Sequence, residues 1–291
     1  MNARRLVPGL LAASLMLGVT VFTAIGQPQQ PPIVVAFSPA KVPLDPAAAD
    51  AVFQQAAART IPLVAQNLIR PFGGGTVKEV RIRALHDGKM LYVELSWADA
   101  VPDRSPLRQT AFTDAVALQF PIRPGGPPSP FMGDKDRPVN IWQWKASWQD
   151  EITRGRDLRV AYPGMFVDYY YDVHLAKTAK DREGFNAGAA AGNLLSRTRR
   201  SSAVEDLVAW GFGTITSQPR QDVIGFGAWK NGRWTVVMAR PLATPDEADV
   251  QFKPGENTLV NFAVWDGRHR QRNGQKSVTL MWWPLQLSPA R

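Results

Sequence analysis

The sequence contains no cysteine. Structural disulfides, iron–sulfur clusters held by thiolates and cofactors attached covalently through a C-x-x-C-H motif are therefore excluded, and any bound cofactor must be held by other side chains. Histidine is also scarce: His86, His174 and His269 are the three in the chain, and no two have the spacing of a metal-binding pair. We interpret His86 as an exposed residue of a hairpin turn and His269 as part of a basic loop.

The chain also lacks the short motifs of common hydrolases and nucleotide-binding proteins. It has no G-x-S-x-G elbow, and no G-x-x-x-x-G-K-[ST] or G-x-G-x-x-G motif opens a predicted helix. The glycine triplet Gly73–Gly75 instead precedes a predicted strand. Nucleic acid is not an expected partner, because the formal net charge of +9 includes only one short basic cluster, Arg268–Arg272.

The N-terminal 26 residues are typical of an export signal or a membrane anchor. Arg4 and Arg5 precede an uncharged run from Leu6 to Gly26, which ends in small residues that suit a signal peptidase. The run is long enough to span a membrane, which takes about 20 residues. A cleaved signal peptide and a retained anchor both stay open, as do general and twin-arginine export.

The rest of the chain is predicted to be mainly β. Residues 27–32 are a proline-rich linker, and residues 33–291 are the predicted domain. Period-2 alternation and turn residues predict a hairpin over Val77–Leu95 and further strands at Asp114–Phe120, Val139–Trp148, Phe166–Val173, Val223–Trp229, Trp234–Ala239, Thr258–Trp265 and Lys276–Trp283. Many short strands with glycine- and proline-rich turns favour an immunoglobulin-like β-sandwich.

The strand pattern stops between about residues 176 and 220, where we predict a long, irregular and partly helical insertion. Within it, Ser202–Trp210 is predicted as a short helix, because Ser202 could cap it and Val204, Leu207 and Val208 would share a face.

Tryptophan is abundant, with ten residues in the chain. Trp142, Trp144 and Trp148 have the same parity on a predicted strand and therefore share one face. One interpretation is a large aromatic core. The other is a flat apolar slot for a planar ligand.

Two further side chains could ligate a metal. Met132 lies in the proline-rich segment Pro127–Asp134, and its thioether is a soft ligand that suits haem iron or, alternatively, a packing group. Lys276 precedes the last predicted strand and is either a solvated strand end or a ligand. As a ligand it would have to be neutral, which requires burial or the metal to lower a pKa of about 10.4.

Three segments carry a resemblance to a known family. They are Phe112–Pro121, the Pro130–Asp134 loop with Pro138–Ala146, and Phe262–Trp282. Together they resemble the haem-binding γ subunits of the ethylbenzene dehydrogenase and dimethylsulfide dehydrogenase type, which accompany molybdenum enzymes of the dimethyl sulfoxide reductase family. The similarity runs through most of residues 33–287, apart from much of the insertion.

The resemblance implies a CBM9-like, or DOMON-like, β-sandwich that holds one non-covalent haem b. It implies Met132 and Lys276 as axial ligands of the iron, with Lys230 and His269 as runners-up for the second position. The side chains expected beside the cofactor are Asn140, Trp142 and Trp144. Two protein ligands would leave no open position on the iron, which argues against oxygen binding or peroxidase activity.

The function that this resemblance implies is electron transfer, without substrate chemistry of the chain's own. The expected partners are an iron–sulfur β subunit and a molybdopterin α subunit in a heterotrimer, and a cytochrome c or other redox carrier. The expected location is the periplasm or another exported compartment, with membrane contact only if residues 6–26 are retained. The alternatives are an exported carbohydrate-binding sandwich with a tryptophan platform and a haem-free scaffold subunit.

Overall fold

The structure, a computed structural model, describes residues 30–123, 126–155, 162–166, 186–197 and 200–290. The chain divides into two units, Met1–Gln30 and Pro31–Arg291, and every element named below lies in the second. The longest helix among the described residues has nine residues, and none of these helices is long and apolar enough to cross a membrane.

Strands make up most of the described secondary structure. They are β1 (Ile33–Phe37), β2 (Arg59–Pro62), β3 (Val64–Ala65), β4 (Glu79–His86), β5 (Met90–Ala98), β6 (Ala115–Pro121), β7 (Val139–Lys145), β8 (Val204–Ala209), β9 (Thr216–Ser217), β10 (Ile224–Lys230), β11 (Arg233–Pro241), β12 (Asn257–Trp265), β13 (Ser277–Val278) and β14 (Trp283–Leu287). The helices are α1 (Pro46–Phe53), α2 (Ala146–Arg154) and the short α3 (Ala187–Ala190), with a 3₁₀ turn at Leu194–Ser196.

The strands form two sheets that share β12. Sheet A has the order β10-β11-β5-β4-β1-β14-β12, and β2 also pairs with β4. Sheet B has the order β12-β6-β7-β8-β9. On the side of β12 away from β6, β13 pairs with β12 and also with β3. The first part of β12, Asn257–Val260, pairs with β14, and the second part, Asn261–Trp265, pairs with β6. A single strand therefore passes from one layer of the sandwich to the other.

The main core lies between the two sheets. Sheet A contributes alternate apolar residues of β4, β5 and β11, and sheet B contributes those of β6 and β7. Trp144 of sheet B meets Trp97 and Trp234 of sheet A, with ring centroids 6.2 and 4.9 Å apart, in the edge-to-face arrangement that aromatic rings prefer. This packing confirms the predicted mainly β sandwich.

The helix predicted for Ser202–Trp210 is wrong, because these residues contain strand β8. All six residues of β8 are buried between β7 and β9, including Glu205 and Asp206. Lys145 neutralises Glu205, and Asn140 donates a hydrogen bond of 2.7 Å to Asp206. These two acidic residues interrupt the apolar pattern of the strand in the sequence. The insertion therefore ends near residue 203 rather than 220.

Other boundaries also differ from the prediction. The strand predicted over Val139–Trp148 ends at Lys145, where α2 begins, and the one predicted over Lys276–Trp283 is divided into β13 and β14. His86 is fully buried, with its Nε2 2.8 Å from the carbonyl oxygen of Ser288, so its interpretation as an exposed turn residue is wrong. His174 and nearly all of the predicted strand Phe166–Val173 lie outside the described residues.

Candidate functional site

A cavity of about 400 Å³ lies against sheet B, on the face turned away from the main core. The volume falls within the range of about 300–1,000 Å³ that is typical of small-molecule sites. Its floor consists of alternate residues of three strands: Ala117 and Gln119 of β6, Ile141 and Gln143 of β7, and Asn261, Ala263 and Trp265 of β12. Four connecting segments supply its walls, around residues 66–71, 130–132, 212–215 and 273–276.

Two alanines lie in the middle of this floor. Ala117 and Ala263 are direct cross-strand partners, with Gln143 on one side and Val278 on the other. Cross-strand neighbours on one face of a sheet have their Cβ atoms only about 5 Å apart, so larger residues here would fill the space. The alanine pair therefore leaves room over the sheet for a flat ligand.

The loop that carries Met132 holds it in an unusual backbone conformation. Met132 has φ of 69°, in the left-handed region that non-glycine residues rarely adopt, and Gly133 follows with φ of 76°. The carbonyl oxygen of Met132 accepts a 2.8 Å hydrogen bond from the Gly211 amide, and Gln119 Nε2 donates to the Pro130 carbonyl at 3.1 Å. Such strained residues cluster at functional sites. The surrounding bonds fix the position of Met132 on the cavity wall.

Lys276 lies on another wall of the same cavity. Its Nζ is 4.9 Å from the centroid of the Trp265 ring and makes no hydrogen bond or ion pair with any described residue. The side chain is half-buried, and its ammonium group lies beside the Trp265 ring in the cavity wall. Burial lowers the pKa of Lys276 to about 8. Near neutral pH, deprotonation to the neutral amine therefore costs much less free energy for Lys276 than for an ordinary lysine.

The backbone of Lys276 is held by the segment that contains the glycine triplet. The Gln66 amide donates a 3.2 Å hydrogen bond to the Lys276 carbonyl, and the Gly75 amide donates a 3.0 Å bond to Ser277 Oγ. Gly74 lies so close that a Cβ atom on it would be 2.1 Å from the Lys276 carbonyl oxygen. From the sequence, this triplet was interpreted only as a break before a strand. Because Gly74 has no side chain, its segment can lie directly against the backbone of Lys276.

Other wall residues were missed in the sequence. Phe131, Phe212 and Ile215 line the cavity, and the latter two lie in the turn after β8, which the sequence placed inside the insertion. Gln66 also lines it, and its side chain bridges three carbonyls, those of Ile69, Pro71 and Gly274. An aromatic residue between glycines, as in Gly211-Phe212-Gly213, was the available signal.

Asn140, Trp142 and Trp144 do not line this cavity, which corrects their expected place beside a ligand. All three are fully buried on the opposite face of β7, and Trp142 Nε1 donates a 3.0 Å hydrogen bond to Asn140 Oδ1. Alternation along the strand puts Ile141 and Gln143 on the cavity side instead.

The two runner-up ligands are also outside the cavity. Lys230 is exposed at the end of β10, next to the hairpin turn at Asn231 and Gly232. His269 is exposed, and its Nδ1 lies 2.6 Å from Asp266 Oδ2. Of the candidate ligands predicted from the sequence, the structure brings only Met132 and Lys276 to one cavity.

The family model described as ethylbenzene dehydrogenase matches residues 50–277, which include both Met132 and Lys276. The chain belongs to the ethylbenzene dehydrogenase family.

Relatives of this family member match over most of its length. A Haloferax mediterranei protein, provisionally named a respiratory nitrate reductase heme subunit, is 26% identical over 96% of this chain and 83% of its own. The chlorate reductase subunit gamma of Ideonella dechloratans is 26% identical over 97% of this chain and 96% of its own. The dimethylsulfide dehydrogenase subunit gamma of Rhodovulum sulfidophilum is 26% identical over 73% of this chain and 62% of its own.

Solved structures with a similar fold include a carbohydrate-binding module of family 9 from Caldicellulosiruptor kristjanssonii in complex with glucose. It is 9% identical, with a TM-score of 0.42, over 89% of this chain and 96% of that one. A Bacteroides uniformis protein, provisionally described as carbohydrate-binding, is 10% identical with a TM-score of 0.44, over 89% of this chain and all of that one.

Proposed function

We propose that this member of the ethylbenzene dehydrogenase family is a haem b-binding electron-transfer subunit of a molybdenum oxidoreductase complex, without substrate chemistry of its own. Family membership supports this proposal, as do relatives named as a heme subunit and as gamma subunits of chlorate reductase and dimethylsulfide dehydrogenase. The observation that carries it is that Met132 and Lys276, from loops far apart in sequence, line one cavity.

The residues around the cavity fit a haem. Met132 offers a soft thioether, and Lys276 offers an amine that makes no hydrogen bond or ion pair with the described residues. The chain has no cysteine, so the haem would be bound non-covalently. When bound, haem supplies a one-electron couple between ferrous and ferric iron. A thioether ligand and an apolar wall both favour the less charged ferrous state, so we expect this pocket to raise the reduction potential.

The lowered pKa of Lys276 suits it to bind a metal as a neutral amine. Since each pKa unit corresponds to 1.36 kcal/mol, removing a proton at pH 7 takes about 1.4 kcal/mol from a pKa of about 8, against about 4.8 kcal/mol from the ordinary value of 10.5. The apolar surroundings therefore lower the free-energy cost of deprotonating Lys276, which ligation by lysine requires, by at most roughly 3 kcal/mol.

We further propose that the subunit is exported, with residues 1–26 as the signal or anchor. Its direct partners would be an iron–sulfur β subunit and a molybdopterin α subunit, and it would exchange electrons with a cytochrome c or another carrier. The named complexes of the gamma-subunit relatives support this assembly.

The carbohydrate-binding alternative finds no support in the tryptophans on which it depended. Trp142 and Trp144 are fully buried, and Trp148 is 6% exposed, so these side chains form no platform for a sugar. The scaffold alternative expected Trp142, Trp144 and Trp148 to be buried, as they are, and Met132 to point into an apolar core. Met132 is partly buried against apolar residues of sheet B and also borders the cavity, a position that a scaffold does not require.

The proposal is tested by absorption of the protein purified after expression with haem supply. We expect a low-spin Soret and α-band spectrum, changed by Met132→Ala and by Lys276→Ala. The matched controls are Met281→Ala and Lys230→Ala, at an exposed methionine and an exposed lysine, which should leave the spectrum unchanged. Colourless protein would refute haem binding, whereas coloured variants with wild-type spectra would refute only the ligand assignment.

A further inference from the structure

We propose that the surface around the mouth of the cavity, named here the mouth surface, docks an electron-transfer protein that carries carboxylates around its redox centre. The mouth surface comprises the exposed apolar residues Leu68, Phe72, Phe212 and Ile215 and the arginines Arg70, Arg270 and Arg272. This inference rests on the proposed function, because it names the partner class for the same cavity.

The centre of the mouth surface is apolar and exposed. Leu68 is 58% exposed, Phe72 46%, Phe212 38% and Ile215 45%. Phe212 and Ile215 themselves line the cavity, and Leu68 and Phe72 flank its wall residues Ile69 and Pro71. Single exposed apolar side chains are ordinary, but several gathered on the segments around one opening are typical of an interaction site.

The rim of the mouth surface is positively charged. Arg70, Arg270 and Arg272 are exposed, and none of them forms an ion pair with a described residue. Arg272 leads directly into Asn273 and Gly274 on the cavity wall. Arg268 and His269 are not part of this rim, because Arg268 interacts electrostatically with Asp103 and the His269 ring lies 2.6 Å from Asp266 Oδ2. An apolar centre with a charged rim is the usual anatomy of a protein–protein interface.

The rim arginines are held in place within the protein. The guanidinium groups of Arg270 and Arg272 lie 5.9 and 4.6 Å from the centroid of the Phe112 ring, and Arg70 lies 5.6 Å from that of Phe72. Arg272 Nη1 also donates a 2.9 Å hydrogen bond to the Arg270 carbonyl. Side chains that are already ordered lose less entropy when a partner binds. Unpaired charges kept in a fixed arrangement suit recognition of carboxylates.

An acidic redox protein is the occupant that this arrangement favours. Electron exchange requires the partner's redox centre to come close to the cavity, and the apolar centre of the mouth surface permits close contact there. Opposite charges around the two centres would steer the encounter, which raises association rates by about 10- to 1,000-fold at low ionic strength.

The experiment measures electron transfer to the haem-loaded protein by stopped-flow, with reduced plant-type [2Fe–2S] ferredoxin as the acidic probe. The test variant is Arg270→Glu/Arg272→Glu, and the control is Lys41→Glu/Lys89→Glu, which makes the same charge change at exposed residues outside the mouth surface. We expect the wild-type rate constant to fall steeply with salt. The test variant should be at least about 10-fold slower at low salt and nearly salt-independent, and the control should stay within about twofold of wild type.

A test variant with the wild-type rate and salt dependence would overturn the docking proposal. So would a loss of haem from the test variant, since the arginines would then belong to the cofactor site. Salt-independent wild-type kinetics together with co-sedimentation of the protein with phosphatidylglycerol vesicles would also overturn it, because the rim would then face a lipid surface. In the first and third outcomes the wild-type Soret band persists, so the proposed function would stand; its own failure would show as colourless wild-type protein.

Discussion

Replacing Lys276 by methionine in the haem-free protein should stabilise it at neutral pH. The folded protein must keep a charged ammonium group in the cavity wall below its pKa of about 8, whereas the unfolded chain solvates that charge. The shift from 10.5 corresponds to about 3 kcal/mol, which is an upper value because the side chain is only half-buried. Methionine has a similar length and no charge, so it removes this penalty.

The sign of the pH dependence follows from the protons bound. Below pH 8 both states hold the proton, and the full penalty is present. Between pH 8 and 10.5 the unfolded chain holds a proton that the folded protein lacks, so the stability of the wild type rises with pH. The advantage of Lys276→Met should therefore shrink by about 3 kcal/mol across this window.

The assay is urea unfolding, followed by tryptophan fluorescence at several pH values from 7 to 10.5. Other alkaline titrations act on both proteins and cancel in the difference of their free energies of unfolding. Lys230→Met, at an exposed lysine, is the control and should show no change in this difference with pH. If the difference between Lys276→Met and wild type stays constant over the whole range, the argument for an apolar lysine site is refuted.

Three further predictions concern the cavity floor, the glycine triplet and the core. Ala263→Phe should fill the space over sheet B and weaken haem uptake at least about 10-fold. Ala228→Phe, at an exposed alanine of β10, should not weaken it. Equal uptake by the two variants in a haem titration would contradict the position of the site. Gly74→Ala should cost at least about 2 kcal/mol of unfolding free energy and lower haem affinity, because its Cβ would meet the Lys276 backbone. Gly255 has a similar left-handed φ of 85° but open space around it, so Gly255→Ala should cost less. Similar losses in both variants would show that only backbone strain matters. Burial raises the pKa of Asp206 to about 8, so between about pH 4 and 8 the folded protein holds a proton that the unfolded chain has lost. The free energy of unfolding of the wild type should therefore fall across this window relative to that of Asp206→Asn. Urea-unfolding free energies that change in parallel with pH in the two proteins would rule this out.

The strands were largely predictable because alternation is a local property. The hairpin of β4 and β5 and the strands β6, β10, β11 and β12 are present close to their expected positions. Strand β8 was missed because it contains two ionisable residues, Glu205 and Asp206, although it is buried. Their partners Lys145 and Asn140 come from a distant part of the chain. Local patterns do not contain such long-range compensation.

The candidate site was predictable only in part, for a related reason. Alternation showed that Trp142 and Trp144 share a face, but not whether this face meets the second sheet or a ligand. The larger side chains, those of Trp142 and Trp144, pack in the core between the sheets, and Ile141 and Gln143 face the cavity. Met132 and Lys276 were expected together from a family resemblance, whereas the alanine pair and the walls at Phe212 and Ile215 depend on the pairing of β12 with β6.

The contact between Gly74 and Lys276 also bears on the order in which this domain matures. The segment that holds the lysine backbone comes early in the domain, and Lys276 comes close to its end. Loop closure over such a separation is slow compared with the formation of local hairpins. We therefore expect a nascent chain to lack a complete pocket until its last strands have docked, so that the cofactor enters an almost finished fold and does not guide its formation.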